Sequence, residues 1–190
     1  MVDQLRGVVN SSRSSEQERR EAIVTLSGSK SDAATIALEW AFSHVDSALT
    51  ATVAYALLER NKIIPLDFAV ETLLHGYDAA SHDTIHNLEY SIAEGVRDER
   101  AIPALGQLLN SSHAEVRRAA ASALRHIGSW SAVPALSPVL WDSDRESRYY
   151  AVIGLAEITK QDEWRPLMDA FASNEGYYLA HWRDWARTYK

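Results

Sequence analysis

One feature constrains this chain more than any other: between Ala101 and Lys160 the same helical hairpin is written twice, thirty-one residues apart. Pro103, Ala104, Leu105 and Leu108 reappear as Pro134, Ala135, Leu136 and Val139, and Ala120, Leu124 and Ile127 reappear as Ala151, Leu155 and Ile158. A fixed period of this length means stacked supersecondary units, each too small to bury its apolar face alone. In the second helix of the first hairpin, Val116, Ala119, Ala120, Ala123, Leu124 and Ile127 follow the i, i+3, i+4, i+7, i+8, i+11 spacing of one helical face. The matching face one period later is Ser147, Tyr150, Ala151, Gly154, Leu155 and Ile158. Small residues in two of these columns let helix axes approach, while Leu and Ile fill the seam between layers.

The turns are written in as well. Pro103 and Pro134 open the first helix of each hairpin, where a missing N–H would have had no intrahelical partner. Gly128 stands where a left-handed residue ends a helix, and Asp142 and Asp144 stand where carboxylates cap the next one. The strings EVRRAAASALRHIG at 115–128 and ESRYYAVIGLAEIT at 146–159 resemble the compact HEAT-like repeats of bacterial proteins, including those of phycobilisome lyases. The resemblance implies an all-α solenoid, a right-handed stack of about five antiparallel helix pairs whose second helices line a concave face.

Working outward from the repeats, residues 1–190 read as a single HEAT-like domain, with an N-terminal segment and capping helix over 1–30. Residues 1–15 mix Gly7 with Asn10 and four serines, which predicts at most a short helix followed by a mobile linker. Glu16 to Leu26 is a helix behind a Ser15 cap, with Ala22, Ile23 and Leu26 as its apolar stripe. Ala33 to His44 and Ala48 to Arg60 form the first pair, joined at Val45, Asp46 and Ser47, with Ile36, Ala37, Trp40 and Ala41 inward on the former. Pro65 to Leu74 and Ser81 to Val96 form the next, and in the latter Ile85, Leu88, Ile92, Ala93 and Val96 occupy the repeat columns. Glu89 conflicts with its column, because a carboxylate stands where the stack wants a small apolar residue.

The last pair, Trp164 to Ala172 and Gly176 to Tyr189, carries Pro166 thirty-two residues after Pro134, and Leu167, Met168 and Phe171 continue the earlier columns. Tyr178, Leu179, Trp182, Trp185 and Tyr189 share one side of the closing helix. Terminal repeats lack an outer neighbour, and large aromatics close such a seam. The span 161–190, with NEGYYLAHWRDWA at 174–186, therefore reads as a Trp-rich capping repeat, similar to the C-terminal cap of some stand-alone bacterial HEAT-like proteins.

Charge sorts the function classes. Residues 31–99 hold three basic and twelve acidic groups, a net of −9, within a chain whose total is −7. An acidic surface repels phosphate backbones and favours a basic protein partner. The chain has no cysteine, which removes thiolate nucleophiles and zinc thiolates, and no apolar run approaches membrane-spanning length. The expectation is a cytoplasmic monomer that binds another protein and neither nucleic acid nor membrane.

Chemistry-bearing motifs are sparse. His82 and His86 in HDTIH share a helix face at i, i+4, with His75, Asp78 and Glu89 near in sequence. Asp83 replaces the glutamate base of the zinc protease motif, and the chain lacks the His-Glu dipeptides through which some HEAT-repeat hydroxylases bind di-iron. No metal site and no cofactor is expected. Glycine-rich phosphate loops and nucleophile elbows are absent, so the chain is expected not to be an enzyme. Two alternatives follow from resemblance: an accessory or subunit of a bilin-lyase-like enzyme, and a HEAT-like alkylpurine DNA glycosylase. Trp182, Asp184 and Trp185 supply the glycosylase residue types but are better placed in the cap, and the acidic middle argues against a DNA channel.

Recognition residues are sought where exposed columns depart from the repeat. Trp130 lies in an inter-repeat turn, and Trp141 takes the column of Asn110. Arg118 and Tyr149 share a column, as do Glu94 and Arg125, and Tyr90 lies in that of Ala121. Tyr, Trp and Arg are the types that anchor interfaces. These seven residues form the expected binding surface of a non-enzymatic adaptor or immunity-type inhibitor. Arg117 and Arg148 are assigned instead to an Asp-Arg ladder with Asp142 or Asp144, of the kind that links adjacent HEAT repeats.

Overall fold

The computed structural model describes residues 2–11, 13–45 and 47–189, and among them every regular element is helical. The all-α solenoid architecture expected from the repeats is what the chain adopts. Contacts divide the chain into two compact units, one through Gly95 and the other from Val96 onward.

The first unit contains α1 (Val2–Asn10), α2 (Glu16–Gly28), α3 (Asp32–Phe42), α4 (Ser47–Leu58), α5 (Leu66–His75) and α6 (His82–Gly95). Its core joins Val9, Ile23, Leu26, Leu38, Leu49 and Leu57, with Val2, Leu5 and Val8 packed against it. Within the span 1–15, expected to hold at most a short helix and then a linker, the nine-residue α1 is that short helix. Val2, Leu5, Val8 and Val9 recur every three to four residues, so α1 has an apolar stripe and is held as part of the core. The predicted Ser15 cap forms a full capping box: its Oγ accepts from the Glu18 N–H, and the Glu18 carboxylate accepts from the Ser15 N–H at 2.7 Å.

The predicted stripe of α3 is rotated. Ala34, Ala37, Leu38 and Ala41 are buried, while Ile36 is 60% exposed and Trp40 half-buried. Packing of α3 against α1, α2 and α4 selects the face with the small residues, which admits closer neighbours than a face carrying Ile and Trp. Of the junction predicted at residues 45–47, Asp46 lies outside the described residues. In α6 the predicted columns hold for Ile85, Leu88 and Ile92, whereas Ala93 is half-buried; Val96, predicted in the same helix, lies just past its end and is buried. Glu89 is half-buried as a residue, with one carboxylate oxygen enclosed, and it has an interaction partner, which a buried carboxylate requires. Arg60 closes the end of α2: its Nη2 donates to the carbonyls of Leu26, Ser27 and Ser29, and its Nη1 to that of Ala56. Those are the orphan acceptors of a helix C-terminus, and a cation is the group they attract.

The second unit contains α7 (Ile102–Leu108), α8 (Ala114–Ile127), α9 (Val133–Leu136), α10 (Arg145–Thr159) and α11 (Met168–Thr188), separated by short 3-10 turns. The two hairpins of the repeat form where the spacing placed them, with Val116, Ala120 and Leu124 of α8 and Ala151, Leu155 and Ile158 of α10 in the core. Gly128 ends α8 at φ +67°, the left-handed cap its position predicted. Gly154 permits a close approach: a Cβ there would stand 3.1 Å from the Cβ of Arg125 and 3.1 Å from Leu136 Cδ1.

Two expectations about first helices are corrected. The helix opened by Pro134 is only four residues long and continues as a 3-10 helix over Ser137–Trp141. Pro138 has no N–H to give the carbonyl of Pro134, and its ring would clash there. In the last repeat Trp164 lies in a 3-10 turn (Asp162–Trp164), and the helix starts after Pro166. Leu167, predicted inward, is 80% exposed at the N-cap, while Phe171 is buried. The predicted break between the last two helices appears as a kink at Asn174 (φ −135°, ψ 35°) within α11. Trp182 and Leu179 seal the end of this unit, the Trp182 indole donating to the Trp164 carbonyl at 3.2 Å.

Candidate binding surfaces

The second helices α8 and α10 bring arginines into register with carboxylates of the following repeat. Arg117 forms a two-bond fork with Asp142 (2.8 and 2.9 Å) and its Nη1 donates to the carbonyls of Ser111 and Ser112 (2.9 and 3.3 Å). One period later, the Nη1 of Arg148 donates to the carbonyls of Asp142 and Ser143 (2.7 and 2.9 Å). The carboxylate partner of Arg148 is Glu175, not the aspartate expected for the ladder, because the next turn is rebuilt by the kink in α11. Arg118 forms a second fork with Asp144 (2.8 and 2.6 Å), which also caps α10 through the Ser147 N–H.

These contacts hold the charges firmly. Hydrogen bonds from Arg118 and from Ser147 outweigh burial and hold the Asp144 carboxyl well below the usual carboxylate range. Burial pushes Asp142 up, but bonds from Arg117 and from the Asp144 N–H reverse this, and its net shift is downward. Arg118, a candidate recognition residue, is thereby spent on joining repeats.

Arg125 and Tyr149 are brought together. They line a recess of about 240 Å³ in the second unit, with Glu157, Arg165 and Leu167 around it. Arg125 forks onto Glu157 (2.7 and 2.8 Å) and Arg165 donates to the same carboxylate at 2.9 Å. Burial pushes the Glu157 carboxyl up, but the two arginines overcome this and its net shift is downward. The Tyr149 hydroxyl donates to the Pro166 carbonyl at 3.4 Å, and its ring packs on Phe171.

Trp130 and Trp141 are 52% and 49% exposed and belong to different surroundings. Trp130 stacks on Tyr189, whose ring stacks in turn on Trp185. Trp141 lies beneath the Arg183 guanidinium, 5.5 Å from the ring centre, and lines a groove with Leu109, Asn110 and Pro138. In the first unit, Tyr90 and Glu94 are exposed on α6, continuing the four-residue spacing of His82 and His86. The two imidazoles stack 6.3 Å apart, and among the described residues no three His, Asp or Glu side chains gather as a metal site would require.

Arg165, Glu157 and Leu167 were not singled out by the repeat pattern. A cue was present for two of them: with Pro166 aligned on Pro134, Arg165 replaces the buried Val133 and Leu167 replaces Ala135. Glu157 had none, because its partner lies in another repeat.

The chain matches the HEAT repeats family over residues 70–156 and 102–183. A search of curated proteins gives no match. Among solved structures, human deoxyhypusine hydroxylase in complex with glycerol aligns over 98% of this chain and 94% of its own, at 14% identity and a TM-score of 0.36, too low to bear on function. No helix among the described residues is long and apolar enough to cross a membrane.

Proposed function

Because the chain belongs to the HEAT repeat family, whose matches together cover more than half of it, we propose that it is a non-enzymatic module that binds another protein, and that the partner is basic. HEAT repeats generally mediate protein–protein interaction, and stacked helices offer much surface per residue. The observation that carries the reading is the segregation of charge. Residues 1–95 hold seven basic and fourteen acidic groups, the whole net charge of −7, whereas residues 96–190 are balanced at twelve each.

Several of the first unit's acids are presented rather than consumed. Asp67 and Glu71 on α5, and Asp83 and Glu94 on α6, are all exposed, and Tyr90, 57% exposed, adds an aromatic anchor one turn before Glu94. In the second unit, by contrast, Arg117, Arg118, Arg125 and Arg148 are all tied to carboxylates. A surface of one sign steers association with its opposite and makes it salt-dependent. An adaptor, or an inhibitor that covers a basic partner, is the role that fits.

Retention of partners from native cells tests this. The native chain is expected to retain a basic protein that is released as salt rises, and the Glu71→Lys, Glu94→Lys double variant is expected to lose it. Charged contacts of this kind each change affinity by about tenfold when removed. Recovery of free monomer alone, or equal retention by the double variant, overturns the reading.

A further inference from the structure

The recess beside Arg125 has a charge surplus that its own contacts do not use. Two guanidiniums, Arg125 and Arg165, share the single carboxylate of Glu157. The fork of Arg125 occupies Nε and Nη2, and Arg165 uses Nη1; among the described residues the Nη1 of Arg125 and the Nε and Nη2 of Arg165 have no protein acceptor. Arg165 is 49% exposed at its side chain, so its free donors are within reach of a ligand. Guanidinium forks match carboxylates in geometry and hold them by charge-assisted bonds.

The surplus is one positive charge. A monoanion neutralises it, whereas a phosphate dianion would leave an excess negative charge beside Glu157. The rim adds a second element, because Leu167 is 80% exposed next to Pro166, a large apolar side chain in water at the edge of a charged recess. At roughly 30 Å³ per water molecule, the recess of about 240 Å³ holds one short side chain while the ligand's backbone runs across the rim.

We propose that this recess binds a glutamate or aspartate side chain of a partner polypeptide, with a neighbouring apolar residue of that partner resting on Leu167. The site lies in the second unit and does not depend on the acidic face of the first. Its specificity is the opposite: an acidic residue of the partner enters here, between arginines already oriented by Glu157. Glu157 acts as a positioning residue, holding both guanidiniums in the recess without touching the ligand.

The test is an NMR titration of the full chain with a C-terminally amidated hexapeptide containing glutamate between two leucines. Its glutamine counterpart and an alanine hexapeptide with a free C-terminal carboxylate are run beside it. The glutamate peptide is expected to shift the Tyr149 and Leu167 amides and to bind about tenfold more tightly than the glutamine peptide, the usual worth of one charge-assisted pair. Arg165→Ala is expected to weaken it by about tenfold, and Leu167→Ala, which removes only rim contact, by about threefold. Both residues are exposed enough that circular dichroism should find the variants folded.

Equal binding of the glutamate and glutamine peptides overturns the proposal. So does undiminished binding by Arg165→Ala, or the absence of any shift at these amides up to about 5 mM peptide, a concentration that reports even millimolar affinity. Tighter binding of the alanine peptide through its chain terminus, or stronger competition by inorganic phosphate, overturns the assignment of the ligand as a side-chain carboxylate.

Discussion

Replacing Gly95 by alanine is expected to unfold the first unit, or to leave it at least about 3 kcal/mol less stable. The added Cβ would lie 2.2 Å from the carbonyl oxygen of Leu58, 2.6 Å from its carbon and 2.7 Å from the Cα of Glu59. All three are backbone atoms at the end of α4, so no rotamer change relieves the overlap, and α6 must move off α4. Displacing α6 uncovers Ile85, Leu88 and Ile92, which are at most 5% exposed. Gly106→Ala supplies the reference: nothing lies within 4 Å of its Cβ position, and alanine inside a helix is favoured by about 0.5–1 kcal/mol. Hydrogen exchange read along α4 and α6 checks both. Native-like protection in Gly95→Ala would show that the two helices are not in the contact described.

The second large effect is expected from Arg117→Ala, which should cost the second unit about 3–5 kcal/mol, the range for removing one partner of a buried ion pair. Arg117 and Asp142 are 12% and 10% exposed at their side chains, and truncation leaves the aspartate with only the Asp144 N–H and removes the guanidinium donor from the carbonyls of Ser111 and Ser112. Urea unfolding followed by tryptophan fluorescence reports on it, since five of the six tryptophans lie beyond residue 96. A loss below about 0.5 kcal/mol, typical of solvated surface pairs, would refute the buried-pair account.

The same contacts make the second unit acid-sensitive. Asp142, Asp144 and Glu157 all have native carboxyls shifted below their ordinary values. A depressed carboxyl contributes stability that is complete above its unfolded value, about 4, and that is lost as pH falls toward its native one. The unfolding midpoint should therefore drop between about pH 5 and pH 2. Arg117→Ala should flatten that fall, because Asp142 then no longer distinguishes the folded from the unfolded chain as strongly.

Much of the fold was legible in advance where local rules agree. Pro103, Gly128 and the face from Val116 to Leu124 each demand a particular backbone or burial pattern, and the first hairpin follows them. The errors came where neighbours compete. Ile36 and Trp40 are as apolar as the residues that displaced them, but α3 turns inward a face on which Leu38 stands among Ala34, Ala37 and Ala41, and the alanines admit closer helices. Leu167 matched an earlier column, yet the turn made by Trp164 and Pro166 left it on the surface. In the binding surfaces, the exposure of Tyr90, Trp130 and Trp141 could be argued from their departure from the repeat. The fate of Arg118 could not, since its acceptor Asp144 is twenty-six residues away and equally readable as a helix cap.

The thirty-one-residue period, the capping residues and the distribution of charge belong to the sequence by itself, because each rests on interactions within a turn or two of helix or on simple addition. Which arginine meets which carboxylate was decided only in three dimensions. Asp142, Asp144, Glu157 and Glu175 offer nearly equal electrostatic attraction along the chain, and it is the rise between stacked layers, set by contacts such as Gly154 against Arg125, that brings one pair within 3 Å and leaves Arg165 with donors to spare.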